Sequence, residues 1–403
     1  MGKVKFNSPL VEMEGDEMAR VLWQWVRDQL VLPFVDVELK RFDLSIENRE
    51  RTDDRVTLEA AQAARAHGVS LKCSTITPDR ARQQEFGLSR LYPSPNGTIR
   101  NVLDGTIFRE PVICPNVPRL VPHWSKPVVI ARHAFGEQYR AKEIVVEGRG
   151  TVKLVFEPAD GGGAVTQTVH EFNGGGVALG LFNTDESIRG FARACLNFGL
   201  QRGYPVYFSH KGTVLKQYDG RFKDIFSEVF SEFADAYREA GLVYEPRLID
   251  DMVAFSLKSS GGYLWACKNY DGDVQSDYMA QGYGSAGLMT SLLMSPDGRR
   301  IETETAHGTA VRHYRQYQRG EATSSNPLAT IYAWSRALWH RARLDGTPDG
   351  MKFAETLERT CVDLVEAGTM TRDLASLTGA QHPFVSAGVF VQRAAAELKS
   401  RLG

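Results

Sequence analysis

Two hydrophobic periods alternate along the opening third of the chain, and this alternation restricts the fold more than any other feature. "DEMARVLWQWVRDQL", from Asp16, carries apolar residues at helical spacing. Its acidic residues fall in the first turn, where the helix macrodipole favours them. "VDVELKRFDL", from Val35, alternates as a strand does, and "TLEAAQAARAHG" reads as a helix stopped by Gly68. "VSLKCSTIT" is the strand that follows it, and "KPVVIARHAF" is a short buried strand. Parallel strands need crossover connections, so this β-α-β rhythm predicts an α/β fold with an open, mostly parallel sheet flanked by helices.

The texture changes at 151–172. "TVKLVFEPADGGGAVTQTVHEF" is two alternating strands around a Gly-rich turn, a hairpin inserted into the helix-flanked sheet as an arm. Helical patterns return over 185–203 and 220–241. The aromatic stripe of "GRFKDIFSEVFSEFADAYREA" suits a core or a subunit interface better than a cofactor box. "NPLATIYAWSRALWHRARL" and "KFAETLERTCVDLVEAG" make the last hundred residues mostly helical.

Bulk properties exclude several classes of function. The formal net charge is -1, which offers nucleic acid and anionic membranes no electrostatic footprint. No apolar run approaches the ~18 residues that span a bilayer. Cys73, Cys114, Cys195, Cys267 and Cys361 are odd in number and widely spaced, which suits reduced thiols in a cytosol-like compartment.

"CKNYDGDVQSDYMAQGYGSAG", Cys267 to Gly287, matches two motifs in letter only. Counted as a calcium loop from Asp271, it has Ser276 where the turn requires Gly and Gly282 where a bidentate Glu is required. Asp273 and Asp277 remain, spaced i,i+4. On a helix they would present two carboxylates about 5–6 Å apart, either solvated or bridged by a cation. "GYGSAG" fits the dinucleotide fingerprint, yet no strand precedes it and strand-like "LMTSLLMS" follows where a helix is required. Its glycines read as turn glycines.

"ETETAHGTAVRHYRQYQRG", from Glu302, is a better phosphate candidate. Gly308 allows close backbone approach, Thr309 adds a hydroxyl, and Arg312 and His313 add cationic donors. The plain alternative is a basic turn; a zinc site using His307 and His313 lacks a nearby third ligand. Asn326 in "SSNP" offers an amide edge to an adenine. "SPNGTIRN" reads as a donor-rich loop with Arg100, Arg109 follows it, and Arg132 ends the "VVIAR" strand. Three arginines near such a loop would suit a substrate with several carboxylates, provided they converge.

"EMEGDEMAR", "KCSTITPD", "SPNGTIRN", "YDGRFKDIF", "LIDDMVA", "WACKNYDGDVQSD", "QGYGS" and "AHGTAVRHY", in that order, resemble the eukaryotic-type homodimeric NADP-dependent isocitrate dehydrogenases. The likeness runs from about residue 11 to 375; the tail beginning "GAQHPFVSAG" lies outside it. The resemblance implies an isocitrate/isopropylmalate dehydrogenase-like fold without a Rossmann fingerprint. It implies a large cofactor-binding domain of 1–103 and 284–403, a small domain of 104–136 and 185–283, and a clasp of 137–184 that locks two subunits together. The implied reaction is oxidative decarboxylation of isocitrate to 2-oxoglutarate and CO2 with reduction of NADP, requiring Mg2+ or Mn2+.

Residue by residue, the resemblance implies that Thr77, Ser94, Asn96, Arg100, Arg109 and Arg132 hold the substrate carboxylates, with Thr213 beside them. Tyr139 and Lys211 would be the acid–base pair, and Asp250, Asp273 and Asp277 the metal ligands. Lys211 and Asp250 would come from the neighbouring subunit, making the homodimer obligatory. Thr75, Arg82, Lys258, Gly308, Thr309, Arg312, His313 and Asn326 would hold NADP. Three positions depart from the pattern. Phe255 replaces a Gln that helps read the adenosine phosphate, which weakens the expected NADP preference; Gly212 replaces an Asn and Ser325 a Thr. The rivals are oxidative decarboxylation of isopropylmalate or homoisocitrate, and an inactive metabolite-binding homologue. The expected partners are isocitrate and a second copy of the chain, with no nucleic acid and no membrane. Cytoplasm is the expected location, with mitochondrial or peroxisomal placement open. The segment 267–287 is expected to reorder when metal and substrate bind.

Overall fold

A ten-stranded mixed sheet runs through the protein in this computed structural model, which describes residues 2–379 and 382–403. Across it lie, in order, Tyr244–Leu248, Val206–His210, Tyr263–Cys267, Val128–His133, Thr106–Arg109, Thr290–Met294, Ile301–Thr305, Val69–Lys72, Leu10–Glu14 and Leu39–Asp43. Pairing is parallel toward both ends of the sheet, as the β-α-β rhythm requires. At the centre, Thr106–Arg109 runs antiparallel to both Val128–His133 and Thr290–Met294, and the latter antiparallel to Ile301–Thr305. Two parallel sets of opposite direction therefore meet at an antiparallel seam, which local periodicity does not reveal.

Side-chain alternation gives each half of the sheet two buried faces. On what we term the front, Val11, Met13 and Leu293 pack with Ala60 and Ile99, while Val128, Ile130 and Trp265 pack with Trp124 and Met279. On the back, Leu10, Leu71 and Ile301 pack with Trp23 and Trp334, while Val129, Ala131 and Phe208 pack with Phe191 and Phe226. The aromatic stripe of the helix Tyr218–Glu239 belongs to this core: Phe222 and Phe226 are buried, and Phe226 stacks on Phe208 at 4.2 Å.

Two local expectations are corrected. "VDVELKRFDL" breaks into Val35–Asp36, which pairs with Val4–Lys5 off the main sheet, and Leu39–Asp43. The donor-rich "SPNGTIRN" is not a loop but the start of the helix Pro95–Leu103, with Ser94 at the N-cap and Pro95 in its first turn. Pro is pre-organised for that position, where its missing N–H is no loss.

The arm forms two antiparallel pairs, Gly150–Phe156 with Val165–Phe172 and Lys142–Val146 with Gly176–Gly180. It leaves Val145 77% and Val177 76% exposed, with Leu154, Phe156 and Val169 exposed as well. Ala380 and Gln381, in the C-terminal tail, lie outside the described residues. No helix among the described residues is long and apolar enough to cross a membrane.

Candidate active site

Cross-strand register brings the first two arginines together. Arg132 sits opposite Ile107 in the ladder, and Arg109 lies two residues beyond Ile107, so both project from the front face. Arg100 reaches the same place from the helix Pro95–Leu103. The result is a cleft of about 460 Å³ walled by the three arginines, Ser94, Asn96, Tyr139 and Asp273. A second cleft of about 220 Å³ adjoins it, sharing Ser94, Asn96 and Arg109 and adding Thr75, Thr77, His307 and Gly308. Asn96 Oδ1, Arg109 Nε and His307 Nε2 are buried without hydrogen-bond partners among the described residues. Leaving such groups unpaired costs free energy, so these walls are built to meet polar ligand atoms. Beside His307, a Cβ at Gly308 would meet nothing within 4 Å, leaving the backbone open to a ligand phosphate.

Asp273 and Asp277 lie one turn apart on the helix Asn269–Gly282, on the i,i+4 spacing read from sequence. Asp273 forms an ion pair with Arg132 and accepts a 2.6 Å hydrogen bond from the Tyr139 hydroxyl. Asp277 has only Arg109, at 3.9 Å, and its side chain is 79% exposed. Burial, aided by the hydrogen bond to Asp273, pushes the Tyr139 hydroxyl up to about 12, so it stays protonated and able to donate. Burial and the neighbouring Arg100 bring Arg132 down to about 10, leaving it cationic at neutral pH.

Other expected residues lie elsewhere. Lys211, Thr213, Asp250 and Lys258 line neither cleft. Lys211 follows the strand Val206–His210 and forms an ion pair with Asp250, at the start of the helix Ile249–Lys258. Val214 and Leu215, three and four residues after Lys211, are exposed. The helix Asn269–Gly282 shows its own exposed stripe at four-residue steps, Tyr270, Val274 and Tyr278. No group of three or more metal-ligating side chains comes together among the described residues. The oxygen donors Asp273 and Asp277 suit a hard divalent cation but make an incomplete set in one chain.

The cofactor candidates form a second neighbourhood. Arg82 donates to Glu17 at 2.7 Å, and Thr309 donates to the other Glu17 oxygen. His313 Nδ1 lies 2.6 Å from the Ser325 hydroxyl, so Ser325 retains a hydroxyl contact to the basic helix Val311–Gln318, which also carries Arg312. Asn326 donates to Asp373 at 3.0 Å. Phe255 lies outside this neighbourhood, its ring 5.2 Å from both Tyr207 and Tyr263 and beneath Arg247. Gly282, first of the apparent fingerprint glycines, instead ends a helix so tightly against Trp124 that a Cβ would lie 2.1 Å from its ring.

Sequence reading missed the supports. Glu304 accepts from Arg100 at 3.0 Å and from Ser291 at 3.1 Å. Burial opposes its ionisation, but Arg100 and Lys72 outweigh burial and keep it a carboxylate, whereas burial and Glu304 favour the protonated form of Glu302. "IETET" alternates, and nothing local says that its charged positions face a buried site. Glu137 is 3% exposed, adopts φ +55°, and accepts the Asn269 N–H at 2.7 Å. It ties the turn carrying Tyr139 to the N-terminus of the helix carrying Asp273. Asn269 completes the link, accepting from Arg132 at 2.9 Å.

An arginine-walled cleft beside two helical aspartates, opening onto a glycine-backed polar cleft without a Rossmann turn, defines a dehydrogenase-type site for an acidic substrate. Residues 6–387 match the isocitrate/isopropylmalate dehydrogenase family, and the chain belongs to it. It is 55% identical over its full length to the NADP isocitrate dehydrogenase of Sphingobium yanoikuyae, covering 99% of that protein. It is 57% identical to the mitochondrial NADP enzyme of Mus musculus, over 93% of this chain and 83% of the relative. Against the peroxisomal NADP isocitrate dehydrogenase of Arabidopsis thaliana it is 55% identical, over 99% of this chain and 97% of the relative.

Proposed function

We propose that this protein catalyses the oxidative decarboxylation of isocitrate to 2-oxoglutarate and CO2, reducing NADP with the help of Mg2+ or Mn2+. The observation that carries the reading is the convergence of Arg100, Arg109 and Arg132 on one cleft, three cations for a tricarboxylate. Ser94 and Asn96 line it with polar groups where isopropylmalate would need an apolar wall. Thr77, from the adjoining cleft, completes the substrate set.

Tyr139 and Lys211 divide the proton work. Lys211 takes the proton of the C2 hydroxyl, and Tyr139, neutral and hydrogen-bonded to Asp273, returns one to the carbon that loses CO2. Asp250, Asp273 and Asp277 would hold the divalent cation, which when bound acidifies the hydroxyl and stabilises the charge left by decarboxylation. NADP, when bound, accepts the hydride. Thr75 and Gly308 would border it from the second cleft, Asn326 would meet its adenine, and Arg82, Thr309, Arg312 and His313 would meet its phosphates.

A homodimer with shared sites follows from the same reading. Lys211, Thr213, Asp250 and Lys258 would serve the neighbouring subunit's cleft, a role supported by their absence from the cleft of their own chain. Exposed apolar side chains at both places, Tyr270, Val274 and Tyr278 on one and Val214 and Leu215 on the other, support mutual burial. The clasp of 137–184 would join the subunits, its exposed Val145 and Val177 covered by the partner's arm. The remaining division is a large domain of 1–103 and 284–403 and a small one of 104–136 and 185–283. Five buried free thiols support a reducing, cytoplasm-like compartment.

The deciding assay follows cofactor reduction with isocitrate, with and without Mg2+, offering NADP and NAD separately. NADPH formation that requires the metal is expected. Faster reduction with isopropylmalate or homoisocitrate would overturn the substrate, no reduction would overturn the activity, and equal use of NAD would overturn the cofactor assignment.

A further inference from the structure

The back face of the seam carries a cavity of about 560 Å³ that the proposed reaction does not use. Its floor is Leu292 and Met294 of one strand and Ile301 of the next. Their neighbours Ser291 and Glu304 form the network behind Arg100, so cavity and substrate cleft lie on opposite faces of the same hydrogen-bonded strands. The walls come from both halves of the molecule, with Phe198 and Arg202 on the helix Asp185–Arg202 and Trp339, His340 and Arg343 on the helix Leu328–Asp345.

Charge and polarity define what would fit. Arg202 is paired with Glu110 at 2.6 Å, and Arg336 with Glu358 at 2.8 Å. Glu355 accepts from Trp339 at 3.0 Å. Arg343 has no carboxylate partner among the described residues and lies 5.8 Å from the centroid of the Trp339 ring. With Glu110 counted beside Arg202, the three arginines are matched by Glu110, Glu355 and Glu358, and Arg343 is the lining arginine that no carboxylate approaches within ion-pair distance among the described residues; burial holds His340 neutral. His340 is 4% exposed, yet its Nε2 has no hydrogen-bond partner among the described residues. A volume within the ordinary range for small-molecule sites, an apolar floor, one unpaired cation and one orphaned buried nitrogen are the marks of a ligand pocket.

We infer that this cavity binds an aromatic monocarboxylate bearing a hydroxyl. The carboxylate pairs with Arg343, and the flat apolar body lies along Trp339, Phe198 and Met294. The hydroxyl, which both donates and accepts, satisfies His340 Nε2 in either tautomer. Because the ligand touches both halves of the molecule from the face opposite the substrate cleft, it and isocitrate bind together.

Isothermal titration of the full-length protein, saturated with isocitrate and Mg2+ and with NADP withheld so that no turnover occurs, tests this with para-hydroxyphenylacetate as the probe. One saturable site per chain is expected. Phenylacetate, without the hydroxyl, and para-cresol, without the carboxylate, should each bind about fivefold or more weakly, as one lost hydrogen bond to a buried partner implies. The variant Arg343→Ala, on an exposed side chain, should weaken the acid about tenfold and leave para-cresol unchanged. Trp339→Ala should weaken all three. No saturable binding at millimolar concentration overturns the inference, as does an unaltered affinity in Arg343→Ala. Binding seen only without isocitrate would assign the probe to the substrate cleft and overturn it equally.

Discussion

The cleft around Arg132 and the surface around Lys211 carry complementary parts of one proposed site, and they differ in how they are held. The cleft is over-determined. Arg132 is fixed by Asn269 and Asp273, Arg100 by Glu304, and Tyr139 by Asp273, each support being tied to another strand or helix. The Lys211–Asp250 pair is half-exposed and is followed in the chain by the exposed apolar side chains of Val214 and Leu215. A rigid half and an open half are what a site shared between two subunits requires. In the proposed homodimer the open half would become ordered and desolvated when the partner's cleft closes over it, which would couple dimerisation to activity.

The largest expected effect comes from breaking both halves separately. Asp273→Asn and Lys211→Met should each lower kcat at least about 100-fold, the scale of lost acid–base or metal chemistry, while the dimer persists in sedimentation. Dissociating and mixing the two dead variants should then restore activity, because each mixed dimer contains one site with both residues intact. No recovery would mean that each chain builds its site alone. Asp273→Asn should also lose Mn2+ binding, read by electron paramagnetic resonance.

Next in size is the link on the rigid side. Glu137→Ala removes the acceptor for Asn269 and should lower kcat about tenfold through misplacement of Tyr139 and Asp273. Glu137→Gln keeps an acceptor oxygen and should recover most of it. Equal losses in both variants would point to the charge rather than to the tie.

Gly272→Ala probes the same wall more gently. A Cβ there would lie 2.7 Å from the Cβ of Arg132, so the arginine must shift. The KM for isocitrate should rise several-fold with little change in kcat; an unchanged KM would show that Arg132 is not a carboxylate anchor.

The smallest effect is on stability. Burial holds His133 neutral down to about 3, stacked on Phe191 at 4.8 Å. Its folded value lies below its unfolded value of about 6.5, so it contributes stability above that pH and loses it as pH falls toward 3. The Tm of the wild type should decline below about pH 6.5, and His133→Phe should flatten the decline. Parallel Tm curves would remove His133 from the account.

Particular residues show how much was readable. Helix and strand periods, the stop at Gly68 and the hairpin around 151–172 are local, and the structure has them where the periods put them apart from "VDVELKRFDL", which splits into two strands. The chemistry of Arg100, Arg109, Arg132, Asp273 and Asp277 was legible as residue type and spacing. Glu304 and Glu137 were not, since alternation cannot tell a solvent-facing charge from one facing a buried site. The start of the helix at Ser94 was written in the Ser-Pro pair and was overshadowed by its donor-rich composition.

By itself, the order of residues determined the elements, the i,i+4 aspartates and the membership of a family, because each depends on short-range periodicity or on many motifs in series. Only the tertiary structure decided the antiparallel seam, the convergence of three arginines and the supports beneath them. Each of those depends on contacts between segments tens to hundreds of residues apart, selected by the burial of two faces of one sheet, and no local pattern encodes which faces will meet.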